Sequence, residues 1–321
     1  MSGAHAHAHA HTKGHSGLNQ RAALASVSVA LMLLVLKSWA SWQTGSVAML
    51  GSLADTGLDL FASLVTLYAV RLAGMPADED HRFGHGKAEA LGALFQVVLI
   101  SLSAIGIGWR AIDRLISGEA TAQAELGIGV SVVAIVATVA LLAYQRVVIR
   151  RTGSIAIEAD HVHYQSDLLL NAGVIVALVL EQLVGLRGAD PAIGIVIALW
   201  LAFGAWRASS RAIDQLMDKE WPEERRRKFV EVASRFSELE NLHDLRTRTS
   251  GHRDFVQFHV WMDPDLTVQQ SHDIIERLED ELAHEFPGTE VLIHIDPAGH
   301  VDEPDNPLAE ADEIEKLEDA P

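Results

Sequence analysis

Residues 22–44 read AALASVSVALMLLVLKSWASWQT and contain a single charged side chain, that of Lys37. A helix of roughly 20 mostly apolar residues crosses a bilayer core about 30 Å thick, so this segment is long enough to span a membrane. Five further segments of this kind follow, near residues 46–72, 88–116, 126–149, 158–186 and 190–212. The sequence therefore predicts an α-helical polytopic membrane protein with six transmembrane helices, and the lipid bilayer as its surroundings.

Composition restricts both the partners of the chain and its metal-binding chemistry. The 321 residues include 43 acidic and 25 basic side chains, a formal net charge of −18, which argues against nucleic acid as a partner and permits cationic ones. Cysteine is absent, so disulfides and thiolate sites are excluded, and any metal ion must be bound by nitrogen and oxygen atoms. The sixteen histidines are the candidate nitrogen ligands.

The basic residues that flank the predicted spans predict their orientation. Cytoplasmic connections of membrane proteins carry an excess of lysine and arginine. In this chain such residues gather near the N-terminus, in the loop 73–87, around the connection 150–157 and after residue 206, while the opposite connections hold few. These four regions are therefore predicted to be cytoplasmic, with both termini on that side.

A change of periodicity after Trp221 and Pro222 marks a soluble domain. Helical patterns at 223–238 and 267–286 and strand patterns at 243–249, 254–262 and 290–296 follow in the order αββαβ, which predicts a ferredoxin-like α+β domain. The predicted organisation is a His-rich disordered N-terminus (1–17), a transmembrane domain (18–212), a linker (213–222), a cytoplasmic domain (223–300) and an acidic disordered tail (301–321).

Two pairs of polar residues lie inside predicted spans at i,i+4 spacing: Asp55 with Asp59, and His163 with Asp167. This spacing puts both members of a pair on one face of a helix. A charged residue at a helix centre costs about 2.5–3.5 kcal/mol to insert, so these residues need a reason to be there. Three carboxylates and one imidazole are ligands that tetrahedral Zn²⁺ accepts. The alternatives are polar contacts between helices, or a proton relay without metal.

A second cluster lies in the loop after the second span, where Asp78, His81 and His85 are within reach of one ion. The alternative is a solvated, charged loop. The Gly-Lys dipeptide at the end of this loop resembles part of a phosphate-binding motif, but the required first glycine and the final Ser or Thr are both missing. ATP binding is therefore not expected.

The strand patterns also predict which residues of the soluble domain face away from its core. Alternation puts His259 on one face of its strand, opposite the apolar residues, and it puts His294 and Asp296 together on the polar face of theirs. Such a face suits a metal ion or a plain polar surface. The residues predicted to face the core are Val256, Phe258, Val260, Met262, Val291, Ile293 and Ile295.

The first residues are rich in histidine, which alternates with alanine at His5, His7, His9 and His11 and occurs again at His15. Such a biased segment is either a native region that gathers metal ions weakly or a remnant of an expression tag. Uninterrupted histidines would favour a tag more strongly. The native interpretation is therefore preferred.

Through these motifs the chain resembles the cation diffusion facilitator family, and within it the bacterial zinc/iron efflux branch, over residues 18 to 300. The motifs are DTGLD at 55–59, HYQSD at 163–167 and HRFGHGK at 81–87. The resemblance implies a homodimer in the bacterial inner membrane. It also implies a transport site at Asp55, Asp59, His163 and Asp167, a loop site at Asp78, His81 and His85, a binuclear site at His243, His259, His272, His294 and Asp296, and an ion pair between Lys87 and Asp218.

The expected function is export of Zn²⁺ in exchange for protons, with Cd²⁺, Fe²⁺, Co²⁺ and Mn²⁺ as other candidate ions. Metal ligands must be deprotonated, so protons and metal compete for His163 and its neighbouring aspartates. The soluble domain is expected to bind Zn²⁺ and to stabilise the dimer. An enzyme is not expected, because four protein ligands leave no position for a metal-bound water. A membrane-anchored metal sensor is the other alternative, although an anchor needs no intramembrane ligands.

Overall fold

The computed structural model describes residues 4–44, 47–117, 128–180, 188–300 and 311–318. The chain separates into a helical unit, Ser16–Ile213, and a soluble unit that begins at Asp214. This boundary lies close to the predicted end of the transmembrane domain. It follows the change from apolar to charged sequence, because only apolar helices can face lipid without leaving polar groups unsatisfied.

Six long helices precede the soluble domain within the described ranges, in agreement with the six predicted spans. Five of them contain stretches long and apolar enough to cross a membrane, namely α1, α2, α3, α4 and α6. The remaining helix, α5, carries Glu158, Asp160 and His161 in its first half, ahead of His163. The bounds are α1 (Ala4–Thr44), α2 (Val47–Ala73), α3 (Ala88–Ser117), α4 (Ile128–Thr152), α5 (Ile155–Val179) and α6 (Ala189–Leu216).

Helix α1 begins at Ala4, so residues 4–17 are helical where their composition predicted disorder. Alanine has the highest helix propensity of all residues, and it alternates with histidine over residues 4–11. Helix formation also propagates more easily than it nucleates, and the segment is continuous with the apolar part of α1. These two effects together favour a helix over a disordered chain.

The interior of the helical unit contains polar side chains among its apolar ones, and its outer surface carries exposed apolar residues. Gln96, Gln145 and Asp160 are completely buried, while Val35 and Ile105 are 62% and 69% exposed. This arrangement suits a lipid-facing surface, because polar side chains are costly in hydrocarbon and turn toward the interior of a helix bundle. Helix α5 packs against α2, α3 and α4, so its polar side chains are enclosed by protein.

The soluble unit follows the predicted αββαβ order. Its three strands form one sheet in the order β1-β2-β3, with β1 antiparallel to β2 and β2 parallel to β3. The second helix provides the crossover that a parallel pair of strands requires. The α+β prediction is therefore confirmed. The elements are α7 (Glu223–Ala233), β1 (Glu240–Ser250), β2 (Arg253–Met262), α8 (Val268–Glu285) and β3 (Thr289–Pro297).

Two details of the soluble unit differ from the prediction. Helix α7 ends at Ala233 rather than at residue 238, because the chain turns there and Phe236 packs against the core. Ile295 is 38% exposed, although strand alternation predicts that it faces the core. It lies near the end of β3, beyond Val291 and Ile293, which do pack against the core.

The acidic tail was predicted to be disordered, and its described part, residues 311–318, contains a short helix, α9 (Glu313–Glu318). Ile314 of this helix packs against the core of the soluble unit. Glu313 of the same helix lies 3.8 Å from an Arg226 nitrogen on α7. The rest of the tail, 301–310 and 319–321, lies outside the described residues.

Candidate metal centres

Helices α2 and α5 bring three of the predicted intramembrane ligands together. The Nε2 atom of His163 lies 3.2 Å from Oδ1 of Asp59 and 3.9 Å from Oδ2 of Asp167. One ligand atom from each residue lies within 4.8 Å of the other two, close enough for a single ion. The His163 side chain is buried, while the side chains of Asp59 and Asp167 are 23% and 34% exposed, so an ion can reach the group.

Asp55, the fourth predicted ligand, does not belong to this group in the described structure. It is exposed, and it lies one helical turn, about 6 Å, before Asp59 along α2. Helix α5 meets α2 at Asp59, so a residue one turn earlier is displaced along the helix axis from His163. The role of Asp55 as a ligand stays a prediction.

Contacts beside His163 hold α5 against α1 and α2. The hydroxyl of Tyr164 lies 2.8 Å from Oγ of Ser63 and donates to the carbonyl of Ser26 at 3.2 Å. The Nδ1 atom of His163 is buried and has no hydrogen-bond partner among the described residues, so the polar contacts of the ring lie on its Nε2 edge. The carboxylates of Asp59 and Asp167 and the Nε2 atom of His163 are donors that suit a divalent transition metal.

The sequence patterns did not single out Asp160, which lies three residues before His163 on α5. Its side chain is completely buried, and it accepts hydrogen bonds from Ser26, Gln96 and Gln145. No i,i+4 partner of metal-binding type marks it in the sequence. The sequence feature that could have marked Asp160 is its position inside a predicted span, because placing a carboxylate in the membrane is costly in free energy and requires an explanation.

The loop between α2 and α3 brings Asp78, His81 and His85 together. Nδ1 of His81 lies 3.1 Å from Oδ1 of Asp78, and Nε2 of His85 lies 3.3 Å from Oδ2. The backbone N–H of His81 donates to Asp78 at 2.7 Å and is the main reason why the pKa of the Asp78 carboxyl lies below its ordinary value of 3.8. Gly84, with φ of 79°, makes the turn between the two histidines. An ionised carboxylate between two imidazoles suits Zn²⁺ or a similar ion.

In the soluble unit, Asp296 is surrounded by three imidazoles. Its Oδ2 atom lies 3.0 Å from Nδ1 of His259 and 3.7 Å from Nε2 of His243, and its Oδ1 atom lies 3.2 Å from Nε2 of His294. Strand pairing sets this arrangement, because His243 pairs with His259 and His259 pairs with His294 across the sheet. A carboxylate that turns one oxygen to each side has the shape needed to bridge two metal ions.

Irregularities in β1 direct His243 into this group. The β1–β2 register shifts on both sides of His243, and Asn241 and Asp244 have positive φ angles of 45° and 48°. Bulges of this kind redirect side chains near functional sites. The Nδ1–H group of His243 donates to the carbonyl of Asn241 at 2.9 Å, which leaves the Nε2 lone pair for a metal ion. Strand periodicity does not predict these bulges.

Two further predicted features are not brought into these groups. His272 is exposed on α8 and is not part of the group formed by His243, His259 and Asp296. Asp218 lies 3.7 Å from an Arg248 nitrogen within the soluble unit, whereas Lys87 belongs to the helical unit. The ligand role of His272 and the ion pair between Lys87 and Asp218 stay predictions.

Comparison with known proteins identifies the family. Residues 23–217 match the family model of the cation efflux transmembrane domain, and residues 221–298 match that of the cation efflux protein, cytoplasmic domain. The chain belongs to the cation efflux family. Over 284 residues it is 42% identical to the cation-efflux pump FieF of Cronobacter sakazakii, covering 88% of this chain and 94% of that one. The FieF pump of Serratia proteamaculans is 41% identical over 289 residues, with 90% and 96% covered.

A solved structure, the metal-bound C-terminal domain of the CzcD transporter from Thermotoga maritima, is also similar to this chain. It is 25% identical, covers 26% of this chain and 99% of its own, and has a TM-score of 0.24.

These matches confirm the family that the sequence motifs predicted. A cation efflux protein is a membrane transporter and not an enzyme, so the helical unit is the transport domain and the soluble unit is its cytoplasmic domain. The group at Asp59, His163 and Asp167 lies in the part of the chain that matches the transmembrane model.

Proposed function

We propose that this cation efflux protein exports Zn²⁺ from the cytoplasm in exchange for protons. The observation that carries the proposal is the group formed by Asp59, His163 and Asp167, whose ligand atoms lie within 4.8 Å of one another between two helices. Ionisable side chains inside a membrane are costly and mark ion pathways. A divalent cation would offset the repulsion between the two carboxylates, so binding of such an ion would explain why they lie close together.

Proton exchange follows from the chemistry of these ligands. Carboxylates and imidazoles must lose their protons before they bind a metal ion. When the site is open to the cytoplasm, the metal ion displaces protons, and when it is open to the outside, protons displace the metal ion. Moving a divalent ion outward against 100 mV costs about 4.6 kcal/mol, at roughly 2.3 kcal/mol per charge, and each entering proton offsets part of this cost.

Zn²⁺ is the preferred substrate because it accepts four nitrogen and oxygen ligands without a geometric demand of its own. The three residues found together supply three donors. Asp55, one turn along α2, is proposed as the fourth. The same donor set also accepts Cd²⁺, Fe²⁺ and Co²⁺, which are proposed as further substrates.

The loop group and the group around Asp296 are proposed as sites where the protein retains metal. A metal ion that binds only the folded, associated state stabilises that state by mass action. The cytoplasmic domain would in this way stabilise a homodimer in the bacterial inner membrane, with both termini cytoplasmic. The residues assigned to these roles are Asp78, His81 and His85 in the loop, His243, His259, His272, His294 and Asp296 in the domain, and Lys87 with Asp218 as an ion pair.

Zinc uptake into proteoliposomes tests the transport site. Full-length protein is reconstituted, a pH gradient is imposed, and trapped indicators report Zn²⁺ and pH together. The initial Zn²⁺ rate is expected to fall by at least about tenfold in Asp59→Ala and in His163→Ala, because each variant loses a ligand. Asp113→Ala is the control, since Asp113 is exposed near the end of α3 and away from the group.

Two results would each remove a different part of the proposal. Wild-type rates in both site variants would mean that the transport site lies elsewhere. Zn²⁺ movement by the wild type without any movement of protons would contradict the exchange, while leaving the site intact.

A further inference from the structure

The carboxyl group of Asp160 is enclosed by neutral hydrogen-bond donors from three neighbouring helices. Its Oδ2 atom accepts from Oγ of Ser26 on α1 at 2.6 Å and from Nε2 of Gln145 on α4 at 2.8 Å. Its Oδ1 atom accepts from Nε2 of Gln96 on α3 at 3.2 Å. The residue has no exposed surface. This is a fully buried acidic group that the transport site does not use as a ligand.

No basic side chain bonds to Asp160 among the described residues. An ionised carboxylate that is buried without a cation is costly, so the charge of this group depends on what lies near it. The titratable groups that interact with it electrostatically include His163 and Tyr164 on its own helix and Asp59 on α2. Of these, His163 and Asp59 belong to the transport site. The contacts from α1, α3 and α4 come from side chains that do not titrate, those of Ser26, Gln96 and Gln145.

The hydrogen bonds around Asp160 can be satisfied with or without a proton on it. Oγ of Ser26 lies 2.6 Å from Asp160 and 3.2 Å from the carbonyl of Ala22. With Asp160 ionised, the serine hydroxyl donates to the carboxylate. With Asp160 protonated, its O–H group donates to Ser26, whose own hydroxyl turns to the carbonyl of Ala22. Neither state leaves a buried donor unpaired, so the site can hold a proton and release it.

The position of Asp160 links it to the transported ion. It lies three residues before His163 on α5, a spacing that puts the two side chains on the same face of the helix. A divalent cation at Asp59, His163 and Asp167 favours the ionised form of Asp160. Departure of that cation favours the protonated form.

We propose that Asp160 binds a proton that is exchanged for the metal ion, in addition to any protons bound by the ligands themselves. When the metal ion arrives from the cytoplasm, the O–H bond of Asp160 breaks and its proton passes to the water on that side. When the ion leaves on the other side, a proton binds to Oδ2 again. The inference rests on the proton exchange described under Proposed function, and it assigns part of that exchange to a residue outside the metal site.

The ratio of protons to Zn²⁺ in proteoliposomes tests this assignment in Asp160→Asn. Asparagine retains the size and the hydrogen bonds of the protonated acid but cannot release a proton. A pH difference of one unit across the membrane contributes a factor of ten to the steady-state Zn²⁺ concentration ratio for each proton exchanged. Loss of one coupled proton should therefore lower that Zn²⁺ ratio about tenfold at the same pH difference. Zn²⁺ affinity in detergent is expected to be weaker in Asp160→Asn than in wild type, because Zn²⁺ binding that releases the Asp160 proton is favoured by an ionised Asp160. Asp160→Glu is expected to restore the ratio.

A wild-type ratio in Asp160→Asn would overturn the inference and leave Asp160 a structural role. A wild type that moves Zn²⁺ but no protons would instead contradict the exchange itself. If Asp160→Asn does not fold, infrared difference spectra of the wild type and of Asp160→Glu provide the test. Zn²⁺ should abolish a protonated carboxyl band in the wild type, and this band should shift in frequency in Asp160→Glu. A band that Zn²⁺ leaves unchanged, or that does not shift, would overturn the inference as well.

Discussion

Asp296→Ala is expected to remove most of the response of the cytoplasmic domain to metal. The Asp296 oxygens lie 3.0, 3.2 and 3.7 Å from nitrogens of His259, His294 and His243. Its removal leaves three imidazoles without the carboxylate that connects them. Mutation of residues that only support a ligand already weakens metal binding about 10–100-fold, so loss of the carboxylate itself should cost at least about 100-fold.

The size of the effect follows from mass action. A ligand at 100 times its Kd stabilises the folded state by about 2.7 kcal/mol, and at a concentration equal to Kd by about 0.4 kcal/mol. A 100-fold weaker site therefore loses about 2.3 kcal/mol of stabilisation by Zn²⁺ at the same concentration. For a domain of this size, 1 kcal/mol corresponds to roughly 4–8 °C, so the Zn²⁺-induced rise of Tm should shrink by about 9–18 °C.

Thermal unfolding of the intact protein in detergent, with and without Zn²⁺, measures this change by near-ultraviolet circular dichroism. Asp280→Ala is the matched control, because Asp280 is exposed on α8 of the same unit. It should retain the full Zn²⁺ shift. A wild-type shift in Asp296→Ala would show that Asp296 is not a ligand, and a wild type that does not respond to Zn²⁺ would refute metal binding by the domain.

Three further predictions concern packing, pH and helix capping. Gly92→Val should destabilise the helical unit by about 1–3 kcal/mol, because a Cβ at this position would lie 2.5 Å from Cβ of Ala69. Thermal unfolding measures this change. Gly17→Ala is the control, because a Cβ at Gly17 meets no atom within 4 Å. The Asp78 carboxylate should contribute to Zn²⁺ binding at the loop site until the pH falls below 3.8, because its hydrogen bonds hold its pKa below that value. Zn²⁺ binding by wild type and by Asp78→Asn, measured against pH, checks this, and loss of the difference between them above pH 3.8 would contradict it. Thr267→Ala removes the capping box of α8 and should destabilise the soluble unit by about 0.5–2 kcal/mol, so an unchanged urea midpoint would argue against the cap.

Local periodicity marked the candidate ligands inside the spans, whereas in the soluble domain it left a plain polar surface as an alternative. His163 and Asp167 share a helix face because four residues make about one turn, and His259, His294 and Asp296 lie away from the apolar core because side chains alternate along a strand. The six spans and the αββαβ order follow from the same kind of pattern. Each of these properties depends on residues close together in the chain, so the sequence alone determined them.

Only the tertiary structure decided which of these residues meet. Asp55 is as close in sequence to Asp59 as His163 is to Asp167, but α5 meets α2 at Asp59, so Asp55 lies outside the group. The burial of Asp160 depends on donors from α1, α3 and α4, which lie far from it in the chain. Periodicity determines the face on which a side chain lies, whereas the partners of that face depend on how separate elements pack in three dimensions.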